Sequence, residues 1–207
     1  MRIVPANQIQ YWLSEGTVLE KDSKGPKVVK LANGDLLKIF RSRRHNLLVR
    51  LNPDAQQFYN KARRLRKLGI STPQVSDYFW LDPALGISAC LYQPLPGTSL
   101  DAIYLHDRDA FNALLPELAA YIFSLHQRGI YFRSLHLGNI LRTPEQQFGL
   151  IDFLDTRFKS KALNGSMVRR NFQHLRNYLK RSDINDFPWD ALMGAYDKVA
   201  DRQKAAS

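Results

Sequence analysis

The chain has a single cysteine, Cys90, so it cannot form an intrachain disulfide, and a disulfide-stapled secreted scaffold is excluded. Cys90 sits in an apolar run and reads as a buried thiol. No stretch approaches the roughly 18 consecutive apolar residues that a membrane-spanning helix needs. The opening Met1-Arg2-Ile3-Val4-Pro5 turns polar before an apolar signal core can build, so a cytoplasmic address is expected. Zinc-ligand spacing is missing, and so is the aromatic-basic signature of a single-strand RNA reader. Internal repeats and low-complexity stretches are missing too.

What the sequence has in excess is positive charge. Its 207 residues carry a formal net charge of +11, within an ordinary globular mixture of 44% hydrophobic and 24% charged residues. Such a surface suits a phosphate-rich partner: nucleic acid, an anionic membrane face or a phosphorylated glycolipid. Charge alone speaks for nucleic acid, with no motif behind it. The basic residues gather in Arg41-Ser42-Arg43-Arg44, in Lys61 to Lys67, in Arg157 to Lys161 and in Arg169 to Arg181. Each cluster taken singly also fits a solvated helix or loop face.

The first third reads as strands. Val28 to Leu31 and Leu36 to Phe40 flank Ala32-Asn33-Gly34-Asp35, where Asn-Gly predicts a tight hairpin with both central residues at positive φ. Val18 to Pro26 reads as a further strand and turn. A helix follows, with Asn52 as N-cap, Pro53 at its first position, and Phe58, Ala62, Leu65 and Leu68 on one stripe before Gly69. Val75 to Leu81 and Gly86 to Tyr92 are extended. Pro94-Leu95-Pro96-Gly97 breaks regular structure and divides a strand-rich part, 1–93, from a mainly helical part, 94–207. In the latter, Pro116-Glu117 opens a helix that closes near Gly129. Ser166 caps another carrying Phe172 and Leu175, and Pro188 opens the last. Short strands are expected around Asn139 to Leu141 and Phe148 to Ile151.

The chemistry is written in Tyr131-Phe132-Arg133-Ser134-Leu135-His136-Leu137-Gly138-Asn139-Ile140-Leu141 and Gly149-Leu150-Ile151-Asp152-Phe153. An amide and a carboxylate beside adjacent short strands supply the oxygen ligands that a hard cation prefers. The protein-kinase loop pattern His-Arg-Asp-Leu-x-x-x-Asn is met at Arg133, Leu135 and Asn139, and the metal motif at Asp152. With Leu37-Lys38-Ile39-Phe40, Leu68 to Pro73 and Leu91 to Gly97, the chain resembles the bacterial lipopolysaccharide kinases. This is the Kdo and core-heptose kinase group, which includes proteins named for toluene tolerance.

The resemblance implies an α+β, protein-kinase-like bilobal fold: an N-lobe with a small antiparallel sheet and one helix, then a mainly helical C-lobe. It implies ATP and Mg²⁺ as cofactors, with Lys38 on the nucleotide phosphates and the metal held by Asn139 and Asp152. The main chain of Gln93 and Leu95 would meet the adenine, since Pro94 has no N–H to offer. His136 would steady the transferring phosphate. The implied acceptor is the lipopolysaccharide core or another anionic glycolipid, met at the cytoplasmic face of the inner membrane, with Arg157, Lys159, Lys161, Arg169 and Arg170 as its contacts. The bland alternatives stay open at this stage. Lys38 also reads as a solvent-facing edge lysine, Asn139 and Asp152 as a loop cap and a turn residue, and His136 as a satisfied loop histidine.

Three departures bear on activity. Ser134 stands where the catalytic Asp belongs, and Phe132 replaces the preceding His. A serine does not accept a proton as a carboxylate does, and losing a general base typically costs about 10²–10⁴ in rate. Asp155 is the nearest carboxylate to take that role, or else a surface Asp. The first helix offers Tyr59-Asn60-Lys61-Ala62 where a Glu should pair with Lys38; Asn60 can hydrogen-bond the lysine but not neutralise it. The nucleotide-covering loop has only Gly16 and Gly25. Two readings follow: an active phosphotransferase, or a pseudokinase that binds nucleotide or acts as a scaffold in envelope biogenesis.

Overall fold

The computed structural model describes residues 1–42 and 46–205. Arg43 and Arg44 of the first basic cluster lie outside the described residues. The chain divides into two compact units, Met1–Leu95 and Pro96–Ser207.

The first unit is built on a five-stranded antiparallel sheet in the order β1-β2-β3-β5-β4. The strands are β1 (Thr17–Asp22), β2 (Gly25–Lys30), β3 (Leu36–Arg41), β4 (Gln74–Asp82) and β5 (Ile87–Gln93). Helices α1 (Ala6–Glu15), α2 (Asn46–Leu51) and α3 (Asp54–Lys67) accompany it. Strand β3 is central and buried on both faces because its two alternating sets of side chains have separate covers. Leu37 and Ile39 join Val29, Phe79 and Ala89 in a core that receives Ile9, Trp12 and Leu13 of α1. On the other face, Phe58 of α3 packs 5.6 Å from Phe40 and 5.9 Å from Tyr92, centroid to centroid. Each such buried aromatic stabilises the unit by about 1.5–3 kcal/mol.

Sequence reasoning gives this unit one helix, whereas the structure has three. The spacing of Ile9, Trp12 and Leu13 is helical, and Trp12 stacks on Phe79 at 5.4 Å, so tertiary packing fixes α1 in a stretch to which the sequence reading assigns no element of its own. The β2–β3 hairpin is also not the two-residue turn expected. Only Gly34 takes positive φ, at 87°. The loop runs from Leu31 to Asp35, with Gly34 N–H on the Leu31 carbonyl and Leu31 N–H on the Asp35 carbonyl. Asn33 keeps negative φ because its side-chain oxygen already accepts the Asp35 N–H. Helix α3 begins one residue later than predicted: Pro53 occupies the cap, and the Asn52 carbonyl accepts from Gln57.

The second unit contains β6 (Thr98–Ser99), α4 (Leu100–His106), α5 (Arg108–Gln127), β7 (Ile130–Tyr131), a 3₁₀ turn (Leu137–Asn139), β8 (Ile140–Arg142) and β9 (Phe148–Leu150). It continues with β10 (Arg157–Phe158), α6 (Gly165–Arg181) and α7 (Trp189–Ala205). Strands β6-β8-β9 form one small sheet and β7-β10 another. Helix α5 starts eight residues before Pro116, because the Asp107 side chain caps it by accepting the Ala110 N–H. Pro116 is therefore interior, at the cost of one helical hydrogen bond. The cap of α6 is Asn164, accepting from Met167 N–H, rather than Ser166.

Candidate functional site

In the first unit, Lys38 stands mid-strand on β3, flanked by Val28 on β2 and Cys90 on β5. It is 9% exposed, which removes the solvent-facing edge reading. Its Nζ lies 5.4 Å from the centre of the Phe58 ring and 6.0 Å from that of Phe40. Phe58 is thus the α3 side chain over the lysine. Asn60, expected as a hydrogen-bond partner, is exposed and makes no such bond. Tyr59 turns to stack on Tyr78 at 4.7 Å. Burial pushes the Cys90 thiol up to about 12 against the opposing pull of Lys38, so it stays protonated. Gln93 ends β5, exposed and opposite Gln74, and Leu95 borders a shallow 370 Å³ depression beside Gly69 and Thr72.

In the second unit the predicted loop is held by its own polar groups. Phe132 is fully buried, and Leu135 N–H closes back on the Phe132 carbonyl at 3.2 Å. Asp155 meets Ser134 twice: the hydroxyl donates to Oδ2 at 2.6 Å and the backbone N–H to Oδ1 at 3.3 Å. A carboxylate is thereby fixed beside the residue that occupies the catalytic-Asp position. Asn139 Nδ2 donates to the Ser134 carbonyl at 3.2 Å, a bond that does not use Oδ1, the acceptor end of the amide. The Ile151 N–H donates to the Asn139 carbonyl at 3.0 Å, so the segment carrying Asp152 is tied to the segment carrying Asn139. Asp152 itself is exposed at φ 49°, in the left-handed region that non-glycine residues seldom take. Among the described residues no group of three or more His, Cys, Asp and Glu side chains can hold a metal. An amide oxygen plus one carboxylate is nevertheless the donor set that suits a cation already chelated by phosphates.

His136 stacks on Tyr178 of α6, centroids 4.3 Å apart and planes 14° from parallel. Its Nδ1 is buried without a hydrogen-bond partner. Burial pulls the imidazole below its ordinary value, opposed by Asp101, Asp152 and Asp155, so it is neutral near pH 7. Gly138 leaves room for two side chains: a Cβ there would come within 2.8 Å of Asp101 Oδ2 and 3.4 Å of His136 Nδ1, so the Asp101 side chain would have to shift. Arg157 lies on β10, paired with Tyr131. The Lys159 N–H donates to the Gly129 carbonyl at 2.8 Å, the Lys161 carbonyl lies close to Gly129, Arg169 and Arg170 ride the first turns of α6, and all five basic side chains are exposed.

Sequence reasoning missed a buried relay beneath this loop. Tyr196 of α7 bonds His126 Nδ1 at 2.7 Å, and His126 Nε2 bonds Asn171 Oδ1 at 3.0 Å. Asn171 in turn donates to the Phe132 carbonyl. Three helices therefore converge on one loop carbonyl. Burial pulls His126 down to about 4 and pushes Tyr196 up to about 12, so both stay neutral. The one sequence signal is a polar residue inside each helix's apolar stripe.

No curated protein matches the sequence. Among solved structures, a crystal structure of WbdD superposes with a TM-score of 0.51 at 15% identity, covering 84% of this chain. The chain spans 43% of that protein's length, so the likeness concerns fold alone. A family model described as the lipopolysaccharide kinase (Kdo/WaaP) family matches residues 27–196, which takes in Lys38, the Ser134–Asn139 loop, Asp152 and Asp155. By that match the chain belongs to the lipopolysaccharide kinase (Kdo/WaaP) family, and the superposition agrees with a kinase-like α+β fold.

Proposed function

We propose that the protein is an active ATP-dependent phosphotransferase that phosphorylates a sugar hydroxyl of the lipopolysaccharide core. The observation that carries this over a pseudokinase reading is the Ser134–Asp155 pair. A carboxylate held from two sides at the catalytic-Asp position supplies the base that the sequence lacks there. In this reading Asp155 takes the proton of the acceptor hydroxyl, whose oxygen forms the new bond to the γ-phosphorus. The bond from that phosphorus to its bridging oxygen breaks, and ADP leaves. Ser134 orients Asp155 and neutral His136 donates a hydrogen bond to the transferring phosphoryl group. Lys38 contacts the nucleotide phosphates, and the main chain of Gln93 and Leu95 the adenine. Asn139 and Asp152 would hold a Mg²⁺ ion, which would supply neutralisation of the phosphate charge. The exposed Arg157, Lys159, Lys161, Arg169 and Arg170 draw the anionic acceptor, and an anionic inner-membrane face, toward the second unit.

Mg·ATP at about a hundred times its Kd stabilises a protein by about 2.7 kcal/mol. That corresponds to a rise of roughly 5–10 °C in melting temperature for a chain of this size. The rise is expected in the native protein and absent in Asp152→Ala. Mass analysis of core lipopolysaccharide from a deletion strain then decides between readings. A core short of one phosphate, restored by the native gene but not by Asp155→Asn, supports the enzyme. An unchanged core would leave a nucleotide-binding scaffold.

A further inference from the structure

Three segments of the second unit bring basic side chains around His174 and Tyr131. On α6, Arg170, His174, Tyr178 and Arg181 recur at helical spacing and share a face. Two contacts fix where that face lies. Tyr178 stacks on His136, and His174 Nε2 is 3.0 Å from the Tyr131 hydroxyl. The face therefore runs along β7 and the loop that follows it. Arg157 is the partner of Tyr131 across the β7–β10 ribbon, and directly opposed residues leave the same face of a ribbon. Arg133 is two residues beyond Tyr131.

The charge balance of this corner is lopsided. Arg133, Arg170, Arg181 and Asp155 all act electrostatically on His174. Of the charged groups acting on His174, Asp155 is the one acid, and it is already engaged by Ser134; Asp101 lies further along the face, against Tyr178. Arg133, Arg157, Arg170 and Arg181 are exposed, and none forms an ion pair among the described residues. Like charges gathered without partners repel one another, and a bound anion relieves the repulsion. Guanidinium forks match the oxygens of a phosphate two at a time.

We propose that Tyr131, Arg133, Arg157, Arg170 and His174 form a subsite for a phosphomonoester already present on the acceptor. The inference rests on the reading of the chain as a lipopolysaccharide phosphotransferase and narrows its substrate class. The acceptor is a phosphorylated glycolipid, gripped by its existing phosphate so that a nearby hydroxyl is presented to Asp155. Lys159, Lys161 and Arg169 are not part of the grip.

The test begins with nucleotide-free, full-length protein and inorganic phosphate, followed through the ring proton resonances of His174, assigned with His174→Gln. A saturable shift is expected, with affinity at least tenfold weaker in an Arg133→Gln/Arg170→Gln double variant that melts at the native temperature and is still stabilised by Mg·ATP. In transfer assays, stripping the acceptor of its phosphates raises KM at least tenfold for the native protein and leaves that of the double variant unmoved. His174 resonances indifferent to phosphate, or a stripped acceptor used as well as the intact one, would overturn the proposal. So would tighter binding to phosphatidylglycerol vesicles than to phosphate that is lost in the double variant, because it would assign the cluster to a membrane diester. Phosphate binding is read without nucleotide, so a protein that ignores Mg·ATP but binds phosphate would fail the phosphotransferase reading and not this subsite.

Discussion

The two units treat their central polar group in opposite ways. In the first, the Lys38 ammonium stands beside aromatic rings, on a strand buried from both faces. In the second, the loop around Ser134 rests on a chain of hydrogen bonds that runs from Tyr196 through His126 and Asn171 to the Phe132 carbonyl. A buried charge in aromatic surroundings does little for stability, since desolvation offsets what its interactions return. A buried and fully bonded polar relay is different, because removing one member strands the next. The second arrangement keeps its groups for the loop's shape, and the first is compatible with the role proposed for Lys38 on the nucleotide phosphates.

The sharpest way to break this comparison is at Asp155. Asp155→Asn keeps the size of the side chain and its place beside Ser134 but removes the proposed base, and should lower kcat by about 10²–10⁴ with little change in melting temperature. Stopped-assay turnover against a matched thermal scan checks it. Lys38→Met should lower transfer by about 10²–10³, the usual cost of removing a preorganised electrostatic group, and leave the urea midpoint unchanged or raised. A variant that unfolds would show that Lys38 is structural, and the contrast would collapse.

Acid tests the second unit. The His126 imidazole is neutral in the fold down to about 4, against 6.5 for the ordinary group. Between those values the unfolded chain takes up a proton that the native state refuses. Stability is therefore full above about pH 6.5 and drops as pH falls through the window, by about 3 kcal/mol in total. Urea midpoints at pH 7 and pH 4.5, compared with those of His126→Gln, isolate the share of this one residue. A slope equal in both proteins would rule it out. The smallest effect is expected from Ser134→Ala, which loses one charge-assisted hydrogen bond to Asp155 and should slow turnover about tenfold.

Much of this was legible beforehand, because the signals were local. The strands around Lys38 announce themselves by alternation and by Asn33-Gly34. Asn139 and Asp152 sit at loop spacings that need no tertiary knowledge. Asp155 was readable as a nearby carboxylate, though its grip on Ser134 was not. What could not be read depends on distant packing. Helix α1 is helical because Trp12 finds Phe79, far along the chain. Pro116 reads as a helix start, yet Asp107 provides the cap eight residues earlier than that proline suggests. The relay under the loop joins residues 45 and 70 positions apart, and no spacing rule reaches so far.

Cys90 offers an unplanned gauge of the sheet. It is the lone thiol, fully enclosed, across the ladder from Lys38 and too weakly acidic to yield thiolate while the strands stay together. An alkylating reagent can reach it only when β3 and β5 part, so its slow capture times the opening of the very strands that present the lysine.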